Sequence, residues 1–213
     1  MPHTGSMTTK IKERMSLVVE DDAVFRRLIV KALTRNNFAV VEAENGIKAQ
    51  RIFDEQHSDL DIIISDVKMP ELDGVEFLKY VRSQSDIPFI LMTGFSEIVE
   101  AQGAARLGAN EFLQKPFRTD DMIEAVEACL HKADSSSNMN LRSEKTFLAI
   151  RIEDFVSSSK LQSNIYLKLA SDKFIKIANK GDYIPVDRIR FYKEKNIDFL
   201  YIIAPDRSTF DPS

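Results

Sequence analysis

The sequence predicts a two-part fold, an α/β doubly wound five-stranded parallel sheet followed by a small α+β domain, and three observations lead there. Five short apolar runs (Leu17–Val19, Phe38–Val41, Ile62–Ser65, Phe89–Met92 and Phe112–Gln114) alternate with stretches of helical period. Four of these runs end in a chemistry-bearing residue: Glu20-Asp21, Asp66, Thr93 and Lys115. Parallel strands joined by helices place all their carboxyl ends on one sheet edge, so acids, a hydroxyl and an ammonium converge there. The third observation is the polar stretch 134–146, with three consecutive serines and little to bury, which reads as a linker.

Each element has a local cause. Residues 1–14 are tag-like, lack the apolar region of a signal peptide and are expected to be disordered. Helices are expected at 23–35, 46–56, 74–83, 97–107 and 119–132, with Gly46, Gly74, Gly94 and Gly108 in or beside the connecting turns. Thr119-Asp120-Asp121 supplies the cap and first-turn acids of the last of these helices. The expected domains are 15–132, a linker at 133–146, and a small α+β output or interaction domain at 147–206. Within the latter, Phe147–Ile152 reads as a strand, and Ile165–Leu169 and Phe174–Ile177 alternate with period two around Ser171-Asp172-Lys173, predicting an antiparallel hairpin. Pro185 suits the first turn of a helix running to about 195, and Ile197–Ile203 closes the domain as a strand.

Composition narrows the function classes. An apolar content of 44% with 29% charged residues is ordinary for a globular protein. No apolar stretch approaches the roughly 20 residues that span a bilayer, and a cytoplasmic location is expected. The single cysteine, Cys129, excludes an internal disulfide or a multi-cysteine zinc site, and it keeps helical step with Met122, Ile123, Val126 and Leu130 as a core residue. Charge divides unevenly: residues 1–139 carry 16 Lys+Arg against 23 Asp+Glu, or -7, while 140–213 carry 13 against 10, or +3. That excess is too modest for a nucleic-acid footprint, and a single short helix cannot form a helix-turn-helix reader. His3 lies in the tag-like region, whereas His57 and His131 fall near helix ends, where a cation suits the dipole.

The segments LVVEDDAVFRRLI, IIISDVKMPELDG, LMTG and GANEFLQKPF, in this order and spacing, resemble the receiver domain of two-component response regulators over about residues 15–132. The resemblance implies strand order 2-1-3-4-5, an aspartyl phosphate on Asp66 and Mg²⁺ as cofactor. The metal set it implies is Asp21 directly, Glu20 through water, Asp66, and the main-chain carbonyl of Lys68. The five-residue step from Asp21 to Arg26 matches the family's register and leaves Asp22 outside the metal shell. A carboxylate attacking a phosphoryl group meets charge repulsion, which a hard cation held by oxygen ligands offsets. Lys115 would bind one phosphoryl oxygen and the Thr93 hydroxyl another, with Phe112 as the aromatic that turns inward when the hydroxyl moves. The Lys115-Pro116 bond matches one that is cis in the family. Lys68 and Phe95, each two residues past a key position, would line the path of hydrolytic water. Their bulk predicts an aspartyl phosphate lasting minutes or longer.

Taken singly, these residues have plainer readings: Glu20-Asp21-Asp22 as a helix cap, Asp66 as a turn acid, Lys115 as a surface lysine and Phe112 as core. Their joint placement favours the site. Arg188, Arg190, Lys193 and Lys195 make the second domain's helix basic, and a solvated face is the expected reading. That domain loosely resembles a small bacterial signalling module that can precede HD-type phosphodiesterase domains, without catalytic residues. Three functions follow: a phosphorylation-controlled interaction switch working through Glu97–Arg106 and Phe112, a transcription regulator with an atypical β-type DNA-binding domain, and the regulatory part of a cyclic-dinucleotide enzyme whose catalytic domain lies elsewhere. The first is preferred, as a phosphoacceptor and not an enzyme, with self-catalysed phosphotransfer and dephosphorylation only. Its expected partners are a sensor histidine kinase or phosphotransfer protein and a homodimer mate or downstream protein.

Overall fold

Strand and helix alternate through the first half of the chain because apolar runs of four to six residues alternate with amphipathic segments. The computed structural model describes residues 14–134, 146–155 and 160–204. Most of the expected linker at 133–146 and of the tag-like segment 1–14 lies outside the described residues.

The first sheet comprises β1 (Arg14–Val19), β2 (Phe38–Ala43), β3 (Ile62–Asp66), β4 (Phe89–Thr93) and β5 (Glu111–Gln114), all parallel, in the order β2-β1-β3-β4-β5. Helices α1 (Ala23–Arg35), α2 (Gly46–Gln56), α3 (Gly74–Arg82), α4 (Ile98–Arg106) and α5 (Thr119–Asp134) connect or follow these strands, and a one-turn 3₁₀ helix at Phe95–Glu97 precedes α4. The order 2-1-3-4-5 is the one the family resemblance implies, and the two-part fold is as the sequence predicts. Strand alternation sorts the core: Val18, Ile62, Ile64, Ile90 and Met92 face a cluster with α1 and α5 residues such as Leu33 and Val126. Leu17, Val19, Ile63, Phe89 and Leu91 face the other side, with Phe53, Phe77 and Ala101. Cys129 is buried in the first cluster, as its helical step requires.

The second sheet is antiparallel, with β6 (Phe147–Arg151), β7 (Ile165–Lys168), β8 (Phe174–Ala178) and β9 (Phe199–Ile203) in the order β6-β9-β7-β8. The predicted β7–β8 hairpin is present, and α6 (Val186–Glu194) starts after Pro185, which occupies the cap position. Tyr192 and Ile189 of α6 are buried against this sheet.

The two sheets meet along β5 and β8. The apolar cluster on the α2–α3–α4 side, to which Phe112 belongs, also takes in Ile175, Ile177, Tyr192 and Leu200. Four polar links accompany it. Lys173 Nζ donates to the carbonyls of Ala109 (2.6 Å) and Asn110 (3.1 Å), Lys176 pairs with Asp121 at 2.5 Å, and Gln114 Nε2 donates to the Tyr192 hydroxyl at 3.3 Å. Burial holds the Lys173 ammonium below its ordinary pKa. The expectation of a solvated basic face on α6 needs correction for Arg188. Its guanidinium turns inward, donating to the Ile177 carbonyl at 2.8 Å and to the Tyr192 hydroxyl at 3.0 Å, because Tyr192 one turn later carries the partner oxygen on the same face.

Candidate functional site

Three adjacent acids at the end of β1 divide into three environments. Glu20 continues the strand, its amide donating to the Ala43 carbonyl, and is 1% exposed. Asp21 is exposed at the mouth of the sheet edge. Asp22 caps α1, its Oδ1 accepting from the amides of Val24 (2.7 Å) and Phe25 (2.9 Å). Those hydrogen bonds stabilise the ionised form and hold its carboxyl below the usual range.

Asp66 ends β3 and is 6% exposed. Its Oδ1 accepts from the Val67 amide at 2.9 Å, and the chain then folds back so that the Gly74 amide donates to the Val67 carbonyl. A side chain at Gly74 would collide with the Asp66 carbonyl, so glycine is what allows α3 to start this close to the acid. From the far edge, Lys115 follows β5 with its amide bonded to the Thr93 carbonyl at 2.8 Å, and the Lys115-Pro116 peptide is cis. Its Nζ lies 2.7 Å from Glu20 Oε2 and 2.8 Å from Asp66 Oδ1, and 4.8 Å from the centre of the Phe25 ring.

Electrostatics follow from this packing. Burial pushes Glu20 up to about 6, opposed by the Lys115 hydrogen bond and reinforced by the field of Asp66. Burial likewise raises Asp66, against the pull of Lys115 and with the Glu97 charge adding to the rise. Burial works against the Lys115 ammonium, but its hydrogen bonds to Asp66 and Glu20 outweigh this and leave its pKa above the usual value. The pocket therefore concentrates negative charge that a cation must compensate.

Carboxylate oxygens of Glu20, Asp21 and Asp66 lie within 4.8 Å of one another and could hold a metal ion. Hard oxygen donors around a pocket that already draws in an ammonium fit a small divalent cation.

Thr93 is fully buried at the end of β4, and its hydroxyl faces the Gly94 carbonyl at 3.1 Å and Glu97 Oε2 at 3.3 Å. The same Glu97 oxygen accepts from the Gly94 amide at 2.7 Å. Phe112 is buried, at 4% exposure. The Lys68 ammonium pairs with Glu100 at 3.3 Å, and the Phe95 ring, 45% exposed, meets Phe191 of α6 edge-on at 5.4 Å.

The structure thus brings Glu20, Asp21, Asp66 and Lys115 together, with Thr93 ending the strand beside β3 and Lys68 and Phe112 in the flanking loop and strand. Sequence reasoning used Glu97 only as part of a switch surface and Arg26 only to set register, and it missed Phe25; in the structure the Arg26 guanidinium donates to the Glu20 carbonyl at 2.6 Å. The Gly94-to-Glu97 spacing is the three-residue step by which an acid reaches back to a helix-start amide, a signal that could have marked Glu97. Phe25 carries no such local sign, and the Arg26 register gives no hint of its bond to the Glu20 carbonyl.

A family model, the response regulator receiver domain, matches residues 16–127. The probable transcriptional regulator ycf27 of Porphyridium aerugineum is 33% identical over 131 residues, covering 61% of this chain and 53% of that protein. The transcriptional regulatory protein ResD of Bacillus subtilis is 34% identical over 128 residues, covering 60% and 52%. The chain spans about half the length of these curated relatives. Among solved structures, a response regulator receiver domain protein from Clostridium thermocellum superimposes with TM-score 0.55 at 27% identity, over 57% of this chain and 97% of that one. Full-length FixJ from B. japonicum gives TM-score 0.52 at 31% identity, over 60% and 62%. The family match ends before the second sheet.

Proposed function

Because the chain belongs to the response regulator receiver family through residues 16–127, we propose that it accepts a phosphoryl group on Asp66 and thereby switches its C-terminal output or interaction module. The donor is a phosphohistidine of a sensor histidine kinase or phosphotransfer protein. An Asp66 carboxylate oxygen attacks phosphorus, the phosphorus–nitrogen bond breaks, and the imidazole leaves with the electron pair and takes up a proton. Asp21, Asp66, the Lys68 main-chain carbonyl and, through water, Glu20 would hold Mg²⁺, which would supply charge that offsets repulsion between the carboxylate and the phosphoryl oxygens. Lys115 shifts from its carboxylate partners to a phosphoryl oxygen, and the Thr93 hydroxyl bonds another. Lys68 and Phe95 hinder hydrolytic water. In this reading 15–132 is the receiver, 133–146 the linker and 147–206 the output module of a cytoplasmic protein whose own chemistry is limited to taking up and losing the phosphoryl group.

The observation that carries this reading is the Lys115 ammonium bridging Glu20 and Asp66, both nearly inaccessible to solvent, beside Asp21. Intact-mass measurement after incubation with acetyl phosphate and Mg²⁺ tests it. Wild type should gain one phosphoryl group, Asp66→Asn none, and chelation should prevent the gain. Equal labelling of Asp66→Asn would refute the assignment.

A second reading, regulation of transcription, draws on the names of the curated relatives. Duplex-DNA affinity falling steeply with salt would favour it, and among the described residues the output module has one helix, which packs on its own sheet.

A further inference from the structure

Thr93 is fully buried, so its hydroxyl cannot turn to bulk water, and the acceptors it faces are the Gly94 carbonyl and the Glu97 carboxylate. To serve a phosphoryl oxygen, it must leave both. The Glu97 carboxylate is no loose surface group. One oxygen takes the Gly94 amide at 2.7 Å as well as the hydroxyl, and its other oxygen lies where a Cβ on Gly94 would sit 3.2 Å away. A negative charge is therefore already seated on the hydroxyl that the aspartyl phosphate needs.

The same carboxylate closes the turn Phe95–Glu97. Phe95, on that turn, projects its ring edge-on to Phe191 of α6, 5.4 Å away at an interplanar angle of 82°. Releasing the Glu97 carboxylate leaves the turn only the bond from the Glu97 amide to the Gly94 carbonyl, and the ring contact with the output module rests on the turn.

We infer that Glu97 is a positioning residue that holds the Thr93 hydroxyl in the unphosphorylated protein, and that a phosphoryl oxygen on Asp66 displaces it and loosens the Phe95–Phe191 contact. This inference rests on the phosphoacceptor reading of Asp66. It assigns Glu97 two opposed effects: it raises the threshold for phosphorylation and transmits the event to α6.

Beryllofluoride with Mg²⁺, an analogue of the aspartyl phosphate, provides the test by calorimetric titration of the full chain. Glu97→Ala and Glu97→Gln should bind it more tightly than wild type, the alanine variant by roughly tenfold. The gain should shrink at least severalfold when measured on a Thr93→Ala background, because the competition runs partly through that hydroxyl. Glu100→Gln removes a nearby carboxylate without touching Thr93 and should change affinity less than about twofold. Equal affinities for wild type and both Glu97 variants overturn the inference while leaving Asp66 as the acceptor. So does an equal gain on the two Thr93 backgrounds, which would mean a field effect alone. A folded wild type that binds no beryllofluoride overturns the phosphoacceptor reading and this inference with it.

Discussion

The two sheets use their side chains in opposite ways. At the carboxyl edge of the first, buried Glu20 and Asp66 share the Lys115 ammonium, an arrangement that costs desolvation energy on both sides of the pair. The second sheet collects rings: Phe147 stacks on Phe174 at 3.8 Å, and Tyr166 and Tyr201 meet them edge-on. These aromatic contacts contribute about 1 kcal/mol each beyond burial and set no group to react. Buried charge marks where chemistry is poised, and buried or half-buried rings mark where structure or recognition is sustained. The contact between the sheets joins one kind of surface to the other.

The comparison breaks most readily at Lys115. Lys115→Ala leaves two buried carboxylates facing each other, and a loss of about 3 kcal/mol in denaturant stability at neutral pH is expected. Glu20 titrates in the fold at about 6, above its ordinary 4.5, so the folded state holds the extra proton in this window and stability falls as pH rises through it. The penalty of Lys115→Ala should therefore be smaller at pH 5 than at pH 7.5. A penalty independent of pH would mean that the carboxylates are already relieved by solvent. The same variant should keep some phosphorylation yet lose its effect on the output module, and normal signalling from it would contradict the coupling.

A smaller effect is expected at the contact. Tyr192→Phe removes the hydroxyl that receives both Gln114 and Arg188, and should cost about 1–2 kcal/mol while raising hydrogen exchange at 112–117. Unchanged exchange there would show that the two sheets do not rely on this link. Removing one ring from the second sheet, Phe174→Ala, should lower stability without altering acetyl phosphate labelling, which separates ring packing from chemistry. The smallest change belongs to phosphate lifetime. Phe95→Ala should shorten it severalfold from minutes, as followed by loss of the phosphoryl mass, and an unchanged lifetime would remove Phe95 from the path of water.

How far the sequence discloses this arrangement depends on the reach of each signal. Runs such as Ile62–Ser65 ending in Asp66 place chemistry on a parallel-sheet edge by topology alone, so the gathering of Glu20, Asp66, Thr93 and Lys115 could be foreseen. Asp22 as a cap also follows from a rule spanning two or three residues. Arg188 could not be foreseen as inward, because helix periodicity gives a face but not the Ile177 carbonyl waiting for it. The contact itself escaped charge counting for the same reason: of the basic module, it is Lys173 and Lys176 on or beside β8 that reach the receiver, and α6 meets it through Phe191 and Tyr192. A cavity of about 160 Å³ lies between the receiver's 112–117 and 176–179 of the module, and two buried oxygens of residues that line it, Gln114 Oε1 and Asp121 Oδ2, find no protein partner, a feature no sequence pattern signals.

In the proposed switch, phosphorylation of Asp66 reaches the second module through the Phe95–Phe191 contact with α6. Hydrogen exchange over α6 and β8, with Mg²⁺ and with or without beryllofluoride, in wild type and Asp66→Asn, tests it most directly. Faster exchange at α6 on adding beryllofluoride, in wild type alone, is the predicted result. Identical exchange at α6 in a wild type shown to bind beryllofluoride would contradict the claim.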